Sequence, residues 1–315
     1  MTVKKPLIQA LQGKSDCQIP LWMMRQAGRY LPEYKKLRAE AGDFLSLCYS
    51  PKLAAEVTLQ PIKRFGFDAA ILFSDILVVP DALGQKVWFV AGEGPKLEPL
   101  DQNDFGGLDI GKITTHLAPV FETVSRVRAG LDENRALIGF CGAPWTVATY
   151  MVAGEGTKEQ APARRWAYQD RQSFSRLIDL LTEASIVYLK GQIEAGIDVI
   201  QIFDSWAGSL AEDEREIWCL EPLRKISRAI KESYPEIPII GFLRGAPLVY
   251  REMANITDID GVGIDTASDI EFTRETLSGK KTIQGNLDPL ALLAGGDALD
   301  KGIDKILEGF GKSAF

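Results

Sequence analysis

The chain has 315 residues, of which 46 % are hydrophobic and 25 % are charged, and these globular proportions exclude a disordered or low-complexity protein. Its formal net charge of −7 argues against a general nucleic-acid binder, because such proteins carry a basic field. No apolar run reaches the roughly 18 residues of a membrane span, and the 4 cysteines are spaced neither as a disulfide framework nor as a zinc ribbon. These features predict a soluble cytoplasmic enzyme that binds neither nucleic acid nor membrane.

Short apolar runs recur along the chain, and each is followed by a polar or glycine-containing turn and a helical pattern. Most runs are continuous rather than alternating, which is typical of parallel strands covered on both faces. The predicted strands are 21–24, 69–73, 136–140, 199–203, 237–242, 261–264 and 281–284. The main predicted helices are 172–194, 213–233 and 304–309, with a further helix that begins at Pro51 behind an N-cap Ser50. Because nothing divides this alternation, residues 1–315 are predicted to form a single α/β domain.

Polar or reactive residues follow nearly every predicted strand, as in Ser74–Asp75 and Asp204–Ser205. A (β/α)8 TIM barrel gathers its site from the carboxyl ends of many strands, whereas an open doubly wound sheet usually begins with a glycine-rich phosphate turn. No such turn follows the first run, so the barrel is favoured. Only seven strands are counted, and residues 313–315 resemble the start of another apolar run. We therefore expect the last strand and its helix to be missing from this chain.

A basic stretch directly follows the first predicted strand. Between positions 25 and 38 one acid, Glu33, stands among five bases, which are Arg25, Arg29, Lys35, Lys36 and Arg38. Guanidinium groups bind carboxylates through two parallel hydrogen bonds, so this stretch suits a polyanionic small molecule. The alternative is a solvated basic loop without a ligand.

Three further segments each allow a functional and a structural interpretation. Asp75 lies in an otherwise apolar run and either caps a nearby backbone group or meets donors of a ligand. Phe140 and Tyr150 belong either to the core or to a site. Asp204 and Ser205 end a predicted strand, where they either orient a polar substrate group or cap a turn.

The sequence lacks the residues and motifs that several kinds of active site need. The single histidine, His116, lies in a helix-like stretch (113–127) and is expected at the surface, which leaves neither a catalytic triad nor a multi-histidine metal site. No phosphate-binding or nicotinamide-binding motif is present. What remains is arginine, aspartate, tyrosine and serine chemistry without a cofactor.

Five segments carry a family likeness: PLWMMRQAGRYLPEY (20–34), FSDIL (73–77), GAPWTVATYM (142–151), FDSWAG (203–208) and IQGNLDP (283–289). In this order and spacing the chain resembles the uroporphyrinogen decarboxylase family, from Leu7 to its last residue. The resemblance implies a (β/α)8 barrel, a homodimer whose clefts face one another, and no metal or organic cofactor. It also implies removal of CO2 from the four acetate side chains of uroporphyrinogen III, giving coproporphyrinogen III in haem biosynthesis.

The resemblance also implies roles for particular residues. The acidic side chains of the substrate would be bound by Arg25, Arg29, Arg38, Tyr150 and Ser205. Asp75 would face the pyrrole N–H groups, while Phe140 and Phe203 would pack against the rings. The implied catalytic residues are Asp75, Arg25, Arg29 and Tyr150, and the choice between Arg25 and Arg29 in proton delivery stays open.

The sequence also departs from the family. A histidine that the family places after its eighth strand would lie beyond Phe315, and Leu243 and Pro247 replace a frequent proline and glycine. Two alternatives remain. A corrinoid-dependent methyltransferase would share the barrel but requires a zinc site of histidine and cysteine ligands. A non-catalytic porphyrinogen-binding protein would bind the substrate without forming product.

Overall fold

A parallel sheet of six strands forms the centre of the protein in the computed structural model, which describes residues 4–14, 18–24, 30–90 and 92–311. Its strand order is β1-β4-β5-β6-β7-β8, and a separate antiparallel hairpin pairs β2 with β3. The strands are Ala69–Ile71 (β1), Val87–Val90 (β2), Gly94–Leu97 (β3), Ala136–Gly142 (β4), Val199–Asp204 (β5), Ile239–Leu243 (β6), Gly261–Gly263 (β7) and Thr282–Gln284 (β8). Six of the seven predicted runs are therefore confirmed as neighbours in one parallel sheet.

Helices precede, connect and follow the strands of this sheet, and crossovers of this kind are what parallel pairing requires. Before β4 they are Pro6–Leu11 (α1), Pro32–Ala41 (α2), Phe44–Cys48 (α3), Pro51–Phe65 (α4), Val78–Leu83 (α5), Ile113–His116 (α6) and Ala118–Gly130 (α7). From β4 to β6 they are Pro144–Ala153 (α8), Ala161–Gln169 (α9), Arg171–Ala195 (α10), Glu212–Arg215 (α11) and Glu221–Ser233 (α12). After β6 they are Tyr250–Met253 (α13), Ile270–Leu277 (α14), Pro289–Ala294 (α15) and Gly296–Phe310 (α16).

A hydrogen bond between side chains of two non-adjacent strands identifies the concave face of the sheet. Gln284 on β8 donates from Nε2 to Gln201 Oε1 on β5 at 3.2 Å, although two strands lie between them. Such a contact requires a curled sheet with both side chains on its concave face. Because side chains alternate along a strand, Phe203 shares this inner face and Asp204 points to the outer, helix-covered face.

The first predicted strand, 21–24, is wrong as a strand. Its described residues form no β-ladder. Within them, Leu21 bonds Asp68, the residue before β1: the Leu21 carbonyl accepts the Asp68 N–H at 3.0 Å, and the Leu21 N–H donates to Asp68 Oδ2 at 2.8 Å. Pro20 has no N–H with which to continue a ladder. The next residue, Trp22, donates its indole N–H to Gln284 on β8 at 2.9 Å. This segment therefore touches both edges of the curled sheet.

The predicted helices are confirmed with changes at their ends. The 172–194 prediction corresponds to α10, and α4 begins at Pro51 after Ser50, whose side chain makes no capping hydrogen bond. The 213–233 prediction contains one π-helical segment, Glu216–Leu220, between α11 and α12. The 304–309 prediction is the end of the longer α16, which begins at Gly296.

The apolar core surrounds the sheet, and strands β4, β5 and β6 are buried along their whole length. A second, smaller cluster packs α2 and α3 onto α4 and the end of β1; its buried members are Leu31, Tyr34, Leu37, Leu47, Cys48, Ala54, Val57 and Phe73. Within the described ranges no helix is both long and apolar enough to cross a membrane.

Candidate functional site at the carboxyl ends of the strands

The basic stretch is only partly described. Arg25 and Arg29 lie outside the described residues. Arg38 lies in the last turn of α2 and donates from Nη1 to the Gly42 carbonyl at 2.9 Å. Glu33, the one acid of the stretch, is held by Arg64 through two hydrogen bonds of 2.8 and 2.9 Å. The negative charge among these bases is therefore already paired within the protein.

Asp75 follows β1 in a half-buried segment. Its Oδ1 accepts the Leu77 N–H at 2.9 Å, which is the turn-capping contact of the structural interpretation. The neighbouring Ile76 lies against the end of β4, because a Cβ added to Gly142 would come within 2.8 Å of the Ile76 Cβ. Gly142 thus allows the Asp75 segment to approach the adjacent strand end closely. The capping contact does not exclude ligand binding, because a carboxylate can accept several hydrogen bonds.

The Cys48 thiol is buried near Arg38 and Asp75, two of the charged residues assigned to this region. Burial raises its pKa well above the usual value, the nearby Asp75 carboxylate raises it further, and Arg38 opposes the rise. The Cys48 side chain is buried in the small cluster beneath α2. Cys48 packs with Leu37 of α2 and with Phe73 after β1, so the end of α2 lies close to the end of β1.

Three phenylalanine rings form a row on the inner face, at the ends of three adjacent strands. The Phe140 and Phe203 ring centroids are 5.8 Å apart, and those of Phe203 and Phe242 are 6.2 Å apart, both edge to face. The adjacent Gly263 leaves room for the Phe242 ring, since an added Cβ would be 3.0 Å from it. Sequence reasoning singled out the first two phenylalanines and missed Phe242, although its place at a strand end was an available signal.

The loop that begins at Ser205 lies beside Tyr150 on the β5 side of the site. Ser205 is half-buried directly after β5, and Trp206 places its ring centroid 6.5 Å from that of Tyr150 on α8. The loop after β5 also touches the loop after β6, because a Cβ on Gly208 would be 2.7 Å from the Gly245 carbonyl oxygen. Only glycine permits this approach. The structure thus places Tyr150 against Trp206, the residue that directly follows Ser205.

Below the aromatic row lies a chain of polar side chains that sequence reasoning missed. Trp22 donates to Gln284, and Gln284 donates to Gln201, which is fully buried. The two glutamines are separated by 83 positions in the chain, so no local pattern could join them. Trp22 precedes Arg25 by three residues, so these hydrogen bonds anchor the segment that leads into the basic stretch.

Asp204 does not lie on the inner face. Its fully buried side chain accepts the Thr146 hydroxyl of α8 at 2.6 Å. Burial raises the pKa of Asp204 to about 6, and the Thr146 hydroxyl and the Cys219 thiol oppose that rise. Of the two strand-end residues singled out, the structure therefore leaves Ser205 near the inner face and turns Asp204 toward the helices.

The other strand-end acid and the histidine have structural partners. Asp265, after β7, accepts the N–H groups of Gly245 and Ala267 and so joins the loops after β6 and β7. His116 is partly exposed at the end of α6 and bonds Asp81 at 2.7 Å. In the parts of the chain that the structure describes, no group of three or more His, Cys, Asp or Glu side chains could hold a metal ion.

Comparison with known proteins identifies the family. The family described as "Uroporphyrinogen decarboxylase (URO-D)" matches residues 2–315. A uroporphyrinogen decarboxylase from Chelativorans sp. (strain BNC1) is 52 % identical over 313 residues, which are 99 % of this chain and 91 % of the relative. The chain belongs to the uroporphyrinogen decarboxylase family. A second such relative, from Sinorhizobium fredii, is 51 % identical over 98 % of this chain and 89 % of its own length.

Solved structures show how widely this fold is shared. A methyltransferase from Methanosarcina mazei aligns with a TM-score of 0.78 over 98 % of this chain and 90 % of that protein, at 21 % identity. A B12-independent methionine synthase from Shewanella sp. W3-18-1 aligns with a TM-score of 0.51 over 82 % of this chain and 76 % of that protein, at 12 % identity. At these identities the likeness shows a common fold. It does not imply that this member of the uroporphyrinogen decarboxylase family shares the activities of those proteins.

Proposed function

We propose that this protein removes CO2 from the four acetate side chains of uroporphyrinogen III and forms coproporphyrinogen III. The observation that carries the proposal is the row of three phenylalanine rings beside the Asp75 segment, in a chain of this family. The rings offer an apolar surface to the pyrroles, and Asp75 offers a carboxylate to their N–H groups. A substrate with eight carboxylates also needs cations, which the stretch from Arg25 to Arg38 supplies.

The substrate itself supplies the electron sink for the proposed reaction. A proton added to a ring carbon turns the pyrrole into a cation, and the bonding electrons of the departing carboxylate then flow into the ring as CO2 leaves. A second proton reaches the exocyclic carbon, and loss of the first proton restores the pyrrole, so that one proton replaces each CO2. Asp75 stabilises the cation through charge, which is the kind of stabilisation that lowers such barriers. In this proposal no cofactor takes part.

Other residues have binding roles in the proposal. Arg25, Arg29 and Arg38 pair with acetate and propionate groups, and Arg25 or Arg29 is the candidate for proton delivery. Tyr150 and Ser205 hold acidic side chains of the substrate on the β5 side. The contact of the Tyr150 ring with Trp206, the residue after Ser205, supports this assignment.

We further propose that residues 1–315 form one cytoplasmic domain of the (β/α)8-barrel type and that two copies pair with their clefts facing. Exposed leucines on segments that follow β6 and β8 support pairing: Leu248 is 65 % exposed, Leu290 72 % and Leu293 81 %. If these leucines are part of the dimer interface, Leu293→Asp shifts the protein toward monomer in sedimentation equilibrium. An unchanged mass would argue against this face.

The activity is tested with Asp75→Asn against a matched control. Asp109 makes the same kind of contact as Asp75, since its Oδ1 accepts the N–H of the residue two positions later at 2.9 Å, but it lies away from the strand ends. Under anaerobic assay with uroporphyrinogen III, Asp75→Asn is expected to lose at least ~100-fold in kcat, while Asp109→Asn keeps its activity. Equal activity of the two variants would reduce Asp75 to a turn cap.

A non-catalytic porphyrinogen-binding protein remains the competing function. It would show substrate binding by the wild-type protein with no coproporphyrinogen formed. Fluorescence quenching of the tryptophans on adding the substrate, followed by product analysis in the same sample, separates the two functions.

A further inference from the structure

Asp204 is a buried carboxyl for which the proposed chemistry has no use. Its side chain is 0 % exposed and lies on the outer face of β5, opposite Phe203. Its Oδ1 accepts the Thr146 hydroxyl at 2.6 Å. A carboxyl in such a place is costly unless it is well bonded, so its presence needs a reason.

Thr146 also bonds the loop that carries Ser205. The same hydroxyl oxygen accepts the Trp206 N–H at 3.1 Å. The Trp206 carbonyl in turn accepts the Trp145 indole N–H at 3.0 Å and the Ser209 hydroxyl at 2.7 Å. One hydroxyl group therefore ties together the end of β5, the first turns of α8 and the loop 205–209.

These bonds place Ser205 and Tyr150. They are the two residues that the proposed function assigns to acidic side chains of the substrate on the β5 side of the site. Ser205 lies between Asp204 and Trp206, which are both anchored to Thr146. Tyr150 lies one turn after Thr146 on the same helix, and its ring contacts that of Trp206. A shift of the Thr146 hydroxyl would therefore move Ser205 and Tyr150 relative to each other.

We propose that Asp204 and Thr146 are positioning residues, which hold Ser205 and Tyr150 in register for decarboxylation without touching the substrate. This inference rests on the proposed function. Since a displacement of about 1 Å in a site can reduce the rate by roughly 100-fold, loss of the Thr146 hydroxyl is expected to lower kcat at least ~10-fold. KM is expected to change less than ~3-fold, because the arginines assigned to the substrate carboxylates are unchanged in this variant.

The test compares Thr146→Val with Thr146→Ser. Valine keeps the volume and removes the hydroxyl, whereas serine keeps the hydroxyl. The control is Thr182→Val on α10, which removes another buried hydroxyl; in the described part of the chain it donates to the Ile178 carbonyl at 2.7 Å, within its own helix. Thr146→Val is expected to lose kcat, and Thr146→Ser and Thr182→Val to keep it. Wild-type kcat in Thr146→Val, or an equal loss in Thr182→Val, would overturn the proposal.

A second measurement does not depend on activity. The chain has 6 tryptophans, so protein labelled with 15N-tryptophan gives a small set of backbone amide signals. The Trp206 amide is expected to exchange with solvent at least ~10-fold faster in Thr146→Val than in Thr146→Ser. Equal exchange in the two variants would show that the hydroxyl does not hold the loop. If the wild type forms no product, the proposed function fails, whereas the exchange experiment still tests the hydroxyl contact itself.

Asp204→Asn separates positioning from direct chemistry. The asparagine amide oxygen can still accept the Thr146 hydroxyl, so kcat is expected within ~3-fold of the wild type. A loss as large as that of Thr146→Val, with the Trp206 amide still protected, would assign the carboxyl itself to the reaction and overturn the positioning role.

Discussion

The buried carboxyl of Asp204 should give the folded protein a pH-dependent stability that Asp204→Asn removes. Burial is the main cause that raises the pKa of Asp204 from 3.8 to about 6 in the folded protein. Because the folded-state pKa is higher than the unfolded-state value, ionisation of Asp204 destabilises the folded protein. Below about pH 3.8 the carboxyl is neutral in both states, and this ionisation penalty is absent. The penalty grows as the pH rises and is complete above about pH 6. A shift of this size corresponds to about 3 kcal/mol, since one pKa unit is about 1.36 kcal/mol.

The expected result is a difference between variant and wild type that grows with pH. From these pKa values the ionisation penalty is about 1 kcal/mol at pH 4.5 and approaches 3 kcal/mol above pH 7. The free energy of unfolding of Asp204→Asn, relative to the wild type, should therefore rise by about 2 kcal/mol between pH 4.5 and 7.5. Urea unfolding followed by tryptophan fluorescence measures both proteins at each pH. A difference that stays flat over this range would refute the assignment of a raised pKa to Asp204.

Three more changes test the packing and the charge of the site. Gly208→Ala places a Cβ 2.7 Å from the Gly245 carbonyl and should destabilise the protein by about 1–3 kcal/mol in urea unfolding, whereas Gly107→Ala, with no atom within 4 Å, should not. Trp22→Phe removes the indole N–H that bonds Gln284 and should lower the free energy of unfolding by about 1 kcal/mol. The same change at the exposed Trp88 should cost less, and equal losses would show that the Trp22–Gln284 bond contributes nothing. Arg38→Ala should raise KM for the substrate about 10-fold at low salt and less at high salt, because exposed charges are screened, whereas Arg126→Ala on α7 should leave KM unchanged. A salt-independent KM for Arg38→Ala would contradict a role in carboxylate binding.

The parallel strands were predictable because their sequence pattern has one physical cause. Strands covered on both faces need continuous apolar runs, and the runs at 136–140 and 199–203 became β4 and β5 with one or two residues added. The run at 21–24 has the same composition but follows Pro20, and its Trp22 side chain bonds β8, so it crosses between sheet edges instead of pairing. Composition alone does not separate these two outcomes.

The site was predictable where residues act at strand ends and not where they act across the sheet. Phe140, Phe203 and Ser205 lie where a barrel-like fold places functional groups, and sequence reasoning singled them out. Alternation along β5 could also have separated Asp204 from Phe203, since neighbouring side chains point to opposite faces. The Gln201–Gln284 contact depends on how strongly the sheet curls, which no local pattern records.

The central claim is that this protein forms product from uroporphyrinogen III using the substrate as its own electron sink. The most direct test incubates the wild type with the substrate under anaerobic conditions and measures both CO2 released and coproporphyrinogen III formed. The expected result is four CO2 for each coproporphyrinogen, at a rate unaffected by a metal chelator. Substrate bound tightly with no CO2 released would contradict the claim.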